Sequence, residues 1–94
     1  MLFCITGIDK ADSLPLRLAN REAHLKYWAD TKSAKIGGPF TSEDGSVLRG
    51  SMLIVEAASL AAAQKLATDD PYAIAGLFER HEVRPWKWLL GQPA

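Results

Sequence analysis

The sequence predicts an α+β fold of ferredoxin-like βαββαβ order, in which two helices cover one face of a four-stranded antiparallel sheet. Three observations lead to this prediction. Two stretches carry apolar residues at helical spacing, four shorter stretches read as extended strands, and an Asp-Gly pair between the second and third strands indicates a hairpin turn. At 94 residues, the chain is expected to form one domain over residues 1–94.

The bounds of each element follow from local signals. Ser13 and Ser59 are the predicted N-caps of the two helices. The second helix must end before Pro71, because the residue that precedes a proline disfavours helical geometry. A further helical turn then ends at Gly76. The predicted strands span residues 2–6, 36–41, 47–56 and 78–89, the helices residues 13–33 and 59–69, and the helical turn residues 71–75.

The first helix carries an apolar stripe that is expected to pack against the sheet. Its members recur at helical spacing, which indicates one buried face. They are Leu14, Leu18, Leu25, Trp28 and Ala29.

The strands are apolar on both faces. In the third strand, Met52 and Ile54 alternate with Leu53 and Val55. Two helices can cover only one face of the sheet, so a second copy of the chain is expected to cover the open face, which predicts a homodimer. The last strand contains Pro85, which cannot donate to a ladder, so this strand is expected at an edge or with a bulge.

Composition excludes several classes of protein. The formal net charge is zero, with 11 basic and 11 acidic residues, which disfavours nucleic-acid binding. RNA-recognition domains of the same βαββαβ order stack bases on aromatic residues of strands one and three, and residues 49–54 contain none. No stretch approaches the roughly 20 apolar residues of a membrane span, and residues 1–5 do not resemble a signal peptide. The single cysteine, Cys4, fits a reducing compartment, so we expect a cytoplasmic protein.

His24 and Asp70 are the candidate acid/base pair. His24 lies on the first helix, and Asp70 opens the segment Asp70-Pro71-Tyr72. A histidine and a carboxylate that a fold brings together can form an oriented dyad for proton transfer. Because the two are far apart in sequence, their pairing is a hypothesis about the fold. Each also has a structural interpretation, His24 as a helix-flank residue and Asp70 as an N-cap.

Arg17 and Arg21 lie in or beside the apolar stripe, where a guanidinium is costly unless it meets an anion. In one interpretation they extend outward or pair with Asp9 or Asp12. In the other they face a carboxylate or phenolate ligand, or hold Asp70 in place. The sequence leaves both interpretations open.

Two glycine-containing segments are further candidates. Gly37-Gly38-Pro39 is either a plain turn or a loop where the backbone approaches a ligand. Gly50, in the middle of the third strand, indicates close approach of a backbone or a ligand, and Ser51 could donate a hydrogen bond into that space.

The remaining signals are weaker. Trp86 and Trp88 on the last strand form either a rim for a ring-shaped ligand or packing at an edge or interface. His24, His81 and the acidic residues show no metal-ligand spacing, so no metal site is predicted. No cofactor motif is present, and we expect no cofactor.

Several short segments occur in the order and at the spacing of a known family. They are Asp9-Lys10-Ala11-Asp12-Ser13-Leu14, Arg17, Arg21, His24-Leu25, Gly38-Pro39, Gly50-Ser51, Asp70-Pro71-Tyr72, Ala75-Gly76 and Val83-Arg84-Pro85. Through them the chain resembles the YciI-like (YCII-related) family of the dimeric α/β-barrel superfamily from Met1 to about Leu90. The loop after Pro39 is shorter than in typical members.

The resemblance implies a dimeric α/β barrel with an active site around His24 and Asp70. It also implies elimination chemistry on a hydroxylated chloroaromatic, the activity assigned in this family. More distant members of the superfamily include lactone isomerases and cofactor-independent monooxygenases. The residues expected to bind the substrate are Arg17, Arg21, Gly38, Pro39, Ser51 and Tyr72.

Two functions are therefore expected as alternatives. The first is a small lyase or isomerase in which His24 transfers a proton, Asp70 sets its tautomer, and Arg17 or Arg21 holds an anionic substrate. The second is a non-catalytic ligand-binding or structural dimer, in which the dyad only ties the first helix to the segment after the second.

Overall fold

The computed structural model describes residues 1–93 and confirms the predicted fold. The four strands form one antiparallel sheet in the order β2-β3-β1-β4. The helices follow in the predicted positions, and the predicted helical turn forms a short third helix. The elements are β1 (Leu2–Asp9), α1 (Leu14–Thr31), β2 (Ala34–Thr41), β3 (Leu48–Glu56), α2 (Leu60–Thr68), α3 (Pro71–Ile74) and β4 (Phe78–Trp86).

Each of the two edge strands contains one proline. In β4, Pro85 lies opposite Phe3 of β1, and β4 is an edge strand, as the missing N–H of proline requires. The other edge is β2, which contains Gly37, Gly38 and Pro39. The interpretation of these three residues as a turn is therefore wrong. They extend the strand, and Pro39 is tolerated there because β2 has one unpaired edge.

The hairpin turn between β2 and β3 forms where the Asp-Gly pair predicts it. Asp44 Oδ1 accepts hydrogen bonds from the Ser42 hydroxyl and from the hydroxyl and backbone N–H of Ser46, at 2.7 to 3.0 Å. These bonds favour the ionised carboxyl and lower the pKa of Asp44 to about 2. Gly45 takes a φ of +79°, a conformation that favours glycine.

One of the two predicted helix caps is formed by its side chain. The Ser59 hydroxyl accepts from the Ala62 N–H at 3.1 Å, a regular N-cap of α2. Ser13 precedes α1, but its hydroxyl donates to the Lys10 carbonyl instead of accepting from the helix. The cap predicted for Ser13 is wrong in this respect, because Ser13 has φ −106° and ψ 9° instead of the extended backbone of a capping residue.

The core lies between the sheet and the helices. Successive strand residues face opposite sides, so Phe3, Ile5, Leu53 and Val55 face the helices while Ile54 faces the open side. Trp28 of α1 and two alanines of α2 complete this layer. The buried cluster consists of Phe3, Ile5, Trp28, Leu53, Val55, Ala63 and Ala67.

Helix α1 packs with a different face from the one that its leucines predict. Leu14, Leu18 and Leu25 are 38%, 52% and 57% exposed, and Ala29 is exposed as well. Only Trp28 of the predicted stripe is buried. The helix instead turns its polar flank inward, because two buried carboxylates beneath it need cationic and N–H partners, as described below.

Gly50 confirms the close approach predicted for it, and the neighbour is backbone. A side chain at this position would collide with the carbonyl oxygen of Gly7 on the adjacent strand. The glycine therefore allows β1 and β3 to pair closely, and it leaves no space for a ligand at that point.

The open side of the sheet carries apolar side chains on β1, β2 and β3 and the charged residues Arg80, Glu82 and Arg84 on β4, and no helix of residues 1–93 covers it. Large side chains on it include Ile8, Ile36 and Phe40, which are 41%, 45% and 39% exposed. The Trp86 and Trp88 rings lie 5.9 Å apart and border a separate cleft near the N-terminus. Across residues 1–93, no helix combines the length and the apolar character needed to cross a membrane.

Candidate active site

A cavity of about 270 Å³ opens between α1 and the paired strands β2 and β3. Seven of the eight predicted site residues line it, and the eighth, Asp70, lies behind the cavity wall and is 2% exposed. Apolar side chains that the sequence did not assign to the site, including Leu25 and Leu53, complete the lining. The predicted residues in the lining are Arg17, Arg21, His24, Gly38, Pro39, Ser51 and Tyr72.

The fold brings His24 and Asp70 together. His24 Nδ1 lies 2.8 Å from Asp70 Oδ1 and 3.0 Å from Oδ2, across 46 positions of sequence. The His24 side chain is 12% exposed and the Asp70 side chain 3%. Because a carboxylate only accepts, Nδ1 is the donor, and the imidazole in its neutral form carries its lone pair on Nε2. The edge of the ring that bears Nε2 is the one turned away from Asp70.

Asp70 also holds two other groups. Its Oδ1 accepts from the Tyr72 backbone N–H at 2.9 Å, which makes it the N-cap of α3. Its Oδ2 accepts from the Trp28 indole N–H at 3.0 Å. The carboxylate thus fastens α1 to the segment after α2 through both His24 and Trp28. Its capping role and its pairing with His24 occur together.

Helical spacing explains why one helix supplies so much of the site. Arg17, Arg21, His24 and Trp28 follow one another at intervals of four, three and four residues, so they lie along one flank of α1. Trp28 was predicted as a core residue only. Its position one turn beyond His24 is the signal that could have indicated a second donor to the same carboxylate.

The Arg17 side chain is buried and forms its hydrogen bonds within the protein. Its Nε and Nη2 donate to the two Asp9 oxygens at 2.7 and 3.0 Å, and Nη2 also donates to the Ser51 hydroxyl at 2.9 Å. Arg17 and Asp9 side chains are 4% and 6% exposed. Burial by itself lowers the pKa of Arg17, but the hydrogen bonds and charge of Asp9 outweigh it, and the net pKa is raised. Of the two interpretations for Arg17, the structure shows pairing with Asp9.

Arg21 differs from Arg17 although it lies one turn away on the same helix. It is exposed, it borders the cavity, and it forms no ion pair within residues 1–93. A guanidinium at a cavity mouth can bind an anionic oxygen of a ligand without breaking any contact of the fold.

The Tyr72 ring contacts both the His24 imidazole and the Arg17 guanidinium. Its ring stacks on the His24 imidazole, with centroids 3.9 Å apart and planes at 15°. The Arg17 guanidinium carbon lies 4.7 Å from the centroid of the same ring. These contacts hold the imidazole plane in addition to the Asp70 hydrogen bond.

The second histidine lies outside the cavity lining. The His81 ring on β4 packs against Phe78 at a centroid distance of 4.6 Å. Burial lowers the pKa of His81, and the charge of Asp70 partly opposes this shift. In the part of the chain that the structure describes, no three His, Cys, Asp or Glu side chains are grouped closely enough to hold a metal ion.

Comparison with known proteins gives consistent matches over almost the whole chain. The sequence profile of the YCII-related domain family matches residues 1–87. Protein YciI of Escherichia coli and Protein YciI of Shigella flexneri are each 40% identical over 95 residues, which cover 93% of this chain and 97% of the relative.

A solved structure matches closely as well. The 5-chloro-2-hydroxyhydroquinone dehydrochlorinase (TftG) of Burkholderia phenoliruptrix, in complex with 2,5-dihydroxybenzoquinone, is 37% identical to this chain. The two superpose with a TM-score of 0.83, over 93% of this chain and 94% of the other. Profile, sequence and structure agree, and the chain belongs to the YCII-related domain family.

Proposed function

We propose that the protein is a small enzyme that catalyses proton transfer in an elimination or isomerisation of a hydroxyaromatic substrate. One observation carries this proposal: both oxygens of buried Asp70 hold His24 Nδ1, while the imidazole lines the cavity. In that arrangement Nε2 serves as the general base, and Asp70 stabilises the imidazolium that forms. No other group in the cavity is needed to move the proton.

The size and lining of the cavity support a single-ring substrate. A volume of about 270 Å³ lies just below the usual range for drug-sized ligands, roughly 300–1,000 Å³. Leu25, Trp28 and Leu53 provide apolar contact for a ring, and Arg21 provides a positive charge for an anionic oxygen. These features favour a hydroxylated ring that carries a phenolate or carboxylate.

The similarity to TftG supports a chlorinated hydroxyhydroquinone as the substrate. We propose that His24 moves a proton from a ring hydroxyl to the chlorine-bearing carbon, which gives a keto tautomer. A second ring hydroxyl then loses its proton to His24, and chloride leaves with the electron pair of the C–Cl bond. The ring loses one H⁺ and one Cl⁻ and becomes a hydroxyquinone, so no external oxidant is consumed.

Turnover of 5-chloro-2-hydroxyhydroquinone is the direct test. Under anaerobic conditions, the wild type is expected to release one chloride for each hydroxyquinone formed, as measured with a chloride electrode and by absorbance. The same ring without chlorine serves as the control for non-enzymatic oxidation. Chloride release by the wild type no faster than in buffer contradicts the proposed reaction.

The Arg21→Met variant is expected to raise KM about tenfold with little change in kcat, because Arg21 binds substrate and transition state alike.

The alternative function is a non-catalytic dimer in which the dyad is a structural tie. It is favoured by one observation: Asp70 also bonds Trp28 and caps α3, and neither bond involves a ligand. The two functions differ in the expected effect of removing the His24 base. A structural His24–Asp70 hydrogen bond contributes to the stability of the fold but to no reaction.

We further propose that two copies of the chain pair through their open sheet faces. Apolar side chains such as Ile8, Ile36 and Phe40 stay well exposed there, whereas a four-stranded sheet is normally covered on its apolar sides. A cytoplasmic location remains a prediction, supported by the single, unpaired Cys4.

Charge placed on the open face is expected to dissociate this dimer. Ile8→Glu puts a carboxylate into the proposed interface and should shift the protein to monomers in sedimentation velocity. Leu18→Glu is the matched control, because Leu18 is similarly exposed (52% against 41%) but lies on α1, on the opposite side of the sheet. A wild type that sediments as a monomer, or an Ile8→Glu variant that stays dimeric, contradicts the proposed interface.

A further inference from the structure

The Tyr72 hydroxyl lies within reach of the Arg17 guanidinium, which can donate to it but cannot accept its proton. Tyr72 is 2% exposed and lines the cavity. Within residues 1–93 its hydroxyl donates a hydrogen bond to no other group. The proton of this hydroxyl is therefore available to a ligand in the cavity that Tyr72 lines.

The position of this hydroxyl is determined by the same carboxylate that orients the dyad. Asp70 Oδ1 accepts from the Tyr72 backbone N–H at 2.9 Å, and the Tyr72 ring stacks on His24 at 3.9 Å. Phe78 contacts the ring edge-on, with centroids 6.2 Å apart. The two stacked rings are both held through Asp70, and both residues line the same cavity.

The surrounding charges suit a hydrogen-bond donor to an anion. Burial raises the pKa of Tyr72, while the positive charges of Arg17 and Arg21 oppose that rise without cancelling it. The hydroxyl therefore keeps its proton at neutral pH. Since a guanidinium can only donate, nothing in Arg17 or Arg21 competes for that proton.

We propose that Tyr72 is a second catalytic residue, whose hydroxyl donates a hydrogen bond to the substrate oxygen that becomes negative when His24 removes a proton. This inference rests on the proposed function and assigns a distinct role within the same site. A preorganised donor stabilises such an oxyanion more in the transition state than in the ground state. Asp70 then positions both groups, one through a side chain and one through the backbone.

Tyr72→Phe tests the role of the hydroxyl, since it keeps the ring, its stacking and the backbone cap. We expect kcat for chloride release to fall about 10²-fold, with KM little changed and the urea unfolding midpoint near that of the wild type. Tyr27→Phe is the matched control: it removes a hydroxyl that donates to the Leu66 carbonyl at 2.7 Å, outside the cavity, and it should keep the wild-type kcat.

The outcomes separate this inference from the proposed reaction. If the wild type and Tyr72→Phe release chloride at equal rates while removal of His24 abolishes release, the inference is wrong and the proposed reaction stands. If the wild type releases no chloride, the proposed reaction fails, and Tyr72 is judged by binding of 2,5-dihydroxybenzoquinone. An affinity about tenfold weaker in Tyr72→Phe alone supports the hydroxyl as an anion donor. Equal affinities, or no binding to the wild type, overturn it.

Discussion

Replacing His24 with asparagine is expected to lower kcat/KM for the elimination reaction by about 10²- to 10⁴-fold, the usual contribution of a positioned acid/base group. The asparagine amide can donate to Asp70 in place of His24 Nδ1, so the buried carboxylate keeps its three donors. The amide has no basic lone pair to accept a proton. The variant therefore separates proton transfer from the structural tie.

The measurement pairs steady-state chloride release with urea unfolding for wild type, His24→Asn, His24→Ala and His81→Asn. The alanine variant should lose both activity and stability, because it also leaves Asp70 with one donor fewer and removes the stacking on Tyr72. His81 lies outside the cavity lining, so His81→Asn is expected to retain activity. If His24→Asn turns over substrate at the wild-type rate, His24 is not the base, and the dyad is a tie between elements of the fold.

Replacing Arg17 with methionine is expected to reduce the free energy of unfolding by about 3–5 kcal/mol. Methionine fills much of the same volume but leaves the Asp9 carboxylate, 6% exposed, without its bidentate partner. The Ser51 hydroxyl loses its donor as well. An unpaired buried charge is the main cost, since water cannot replace the guanidinium at that position.

Arg21→Met is the matched control, because Arg21 lies one turn away on the same helix and is exposed. It should change the free energy of unfolding by no more than about 0.5 kcal/mol. The double variant Asp9→Leu/Arg17→Met should recover part of the loss, since it removes both buried charges together. Equal stability of Arg17→Met and Arg21→Met, from urea titrations with unchanged m-values, contradicts a structural role for the Arg17–Asp9 pair.

The two arginines thus correspond to the two different interpretations that the sequence left open. Arg17 has the intramolecular partner, whereas Arg21 forms no ion pair within residues 1–93 and lines the cavity. The sequence could not separate them, because four residues along a helix amount to about 40° of rotation and one turn of rise. Which of the two meets a carboxylate depends on where β1 ends, at Asp9.

Much of the fold was predictable from short-range signals. The alternation in β3, the Asp44-Gly45 turn, the Ser59 cap and Pro71 each depend on residues within one or two turns of the chain, and they fixed the order of elements. The packing face of α1 was not predictable in this way. Hydrophobic spacing alone favoured Leu14, Leu18 and Leu25, which the structure leaves exposed.

The physical reason is that this helix face is selected by polar partners far away in sequence. Two buried carboxylates, Asp9 and Asp70, require cationic or N–H partners, and α1 supplies them from Arg17, His24 and Trp28. The energy of leaving either carboxylate unpaired exceeds the gain from burying a few leucine side chains that a partner surface can still cover.

The sequence by itself therefore determined the element order, the placement of β4 either at an edge or with a bulge, and the candidate residues of the site. The tertiary structure decided which of those residues lie together: it placed His24 against Asp70 across 46 positions, paired Arg17 with Asp9, left Arg21 without an ion pair within residues 1–93, and put Tyr72 in the cavity lining. Local patterns report what a segment forms, whereas a cavity and its hydrogen bonds exist only between segments, where burial and the pairing of charges select one arrangement.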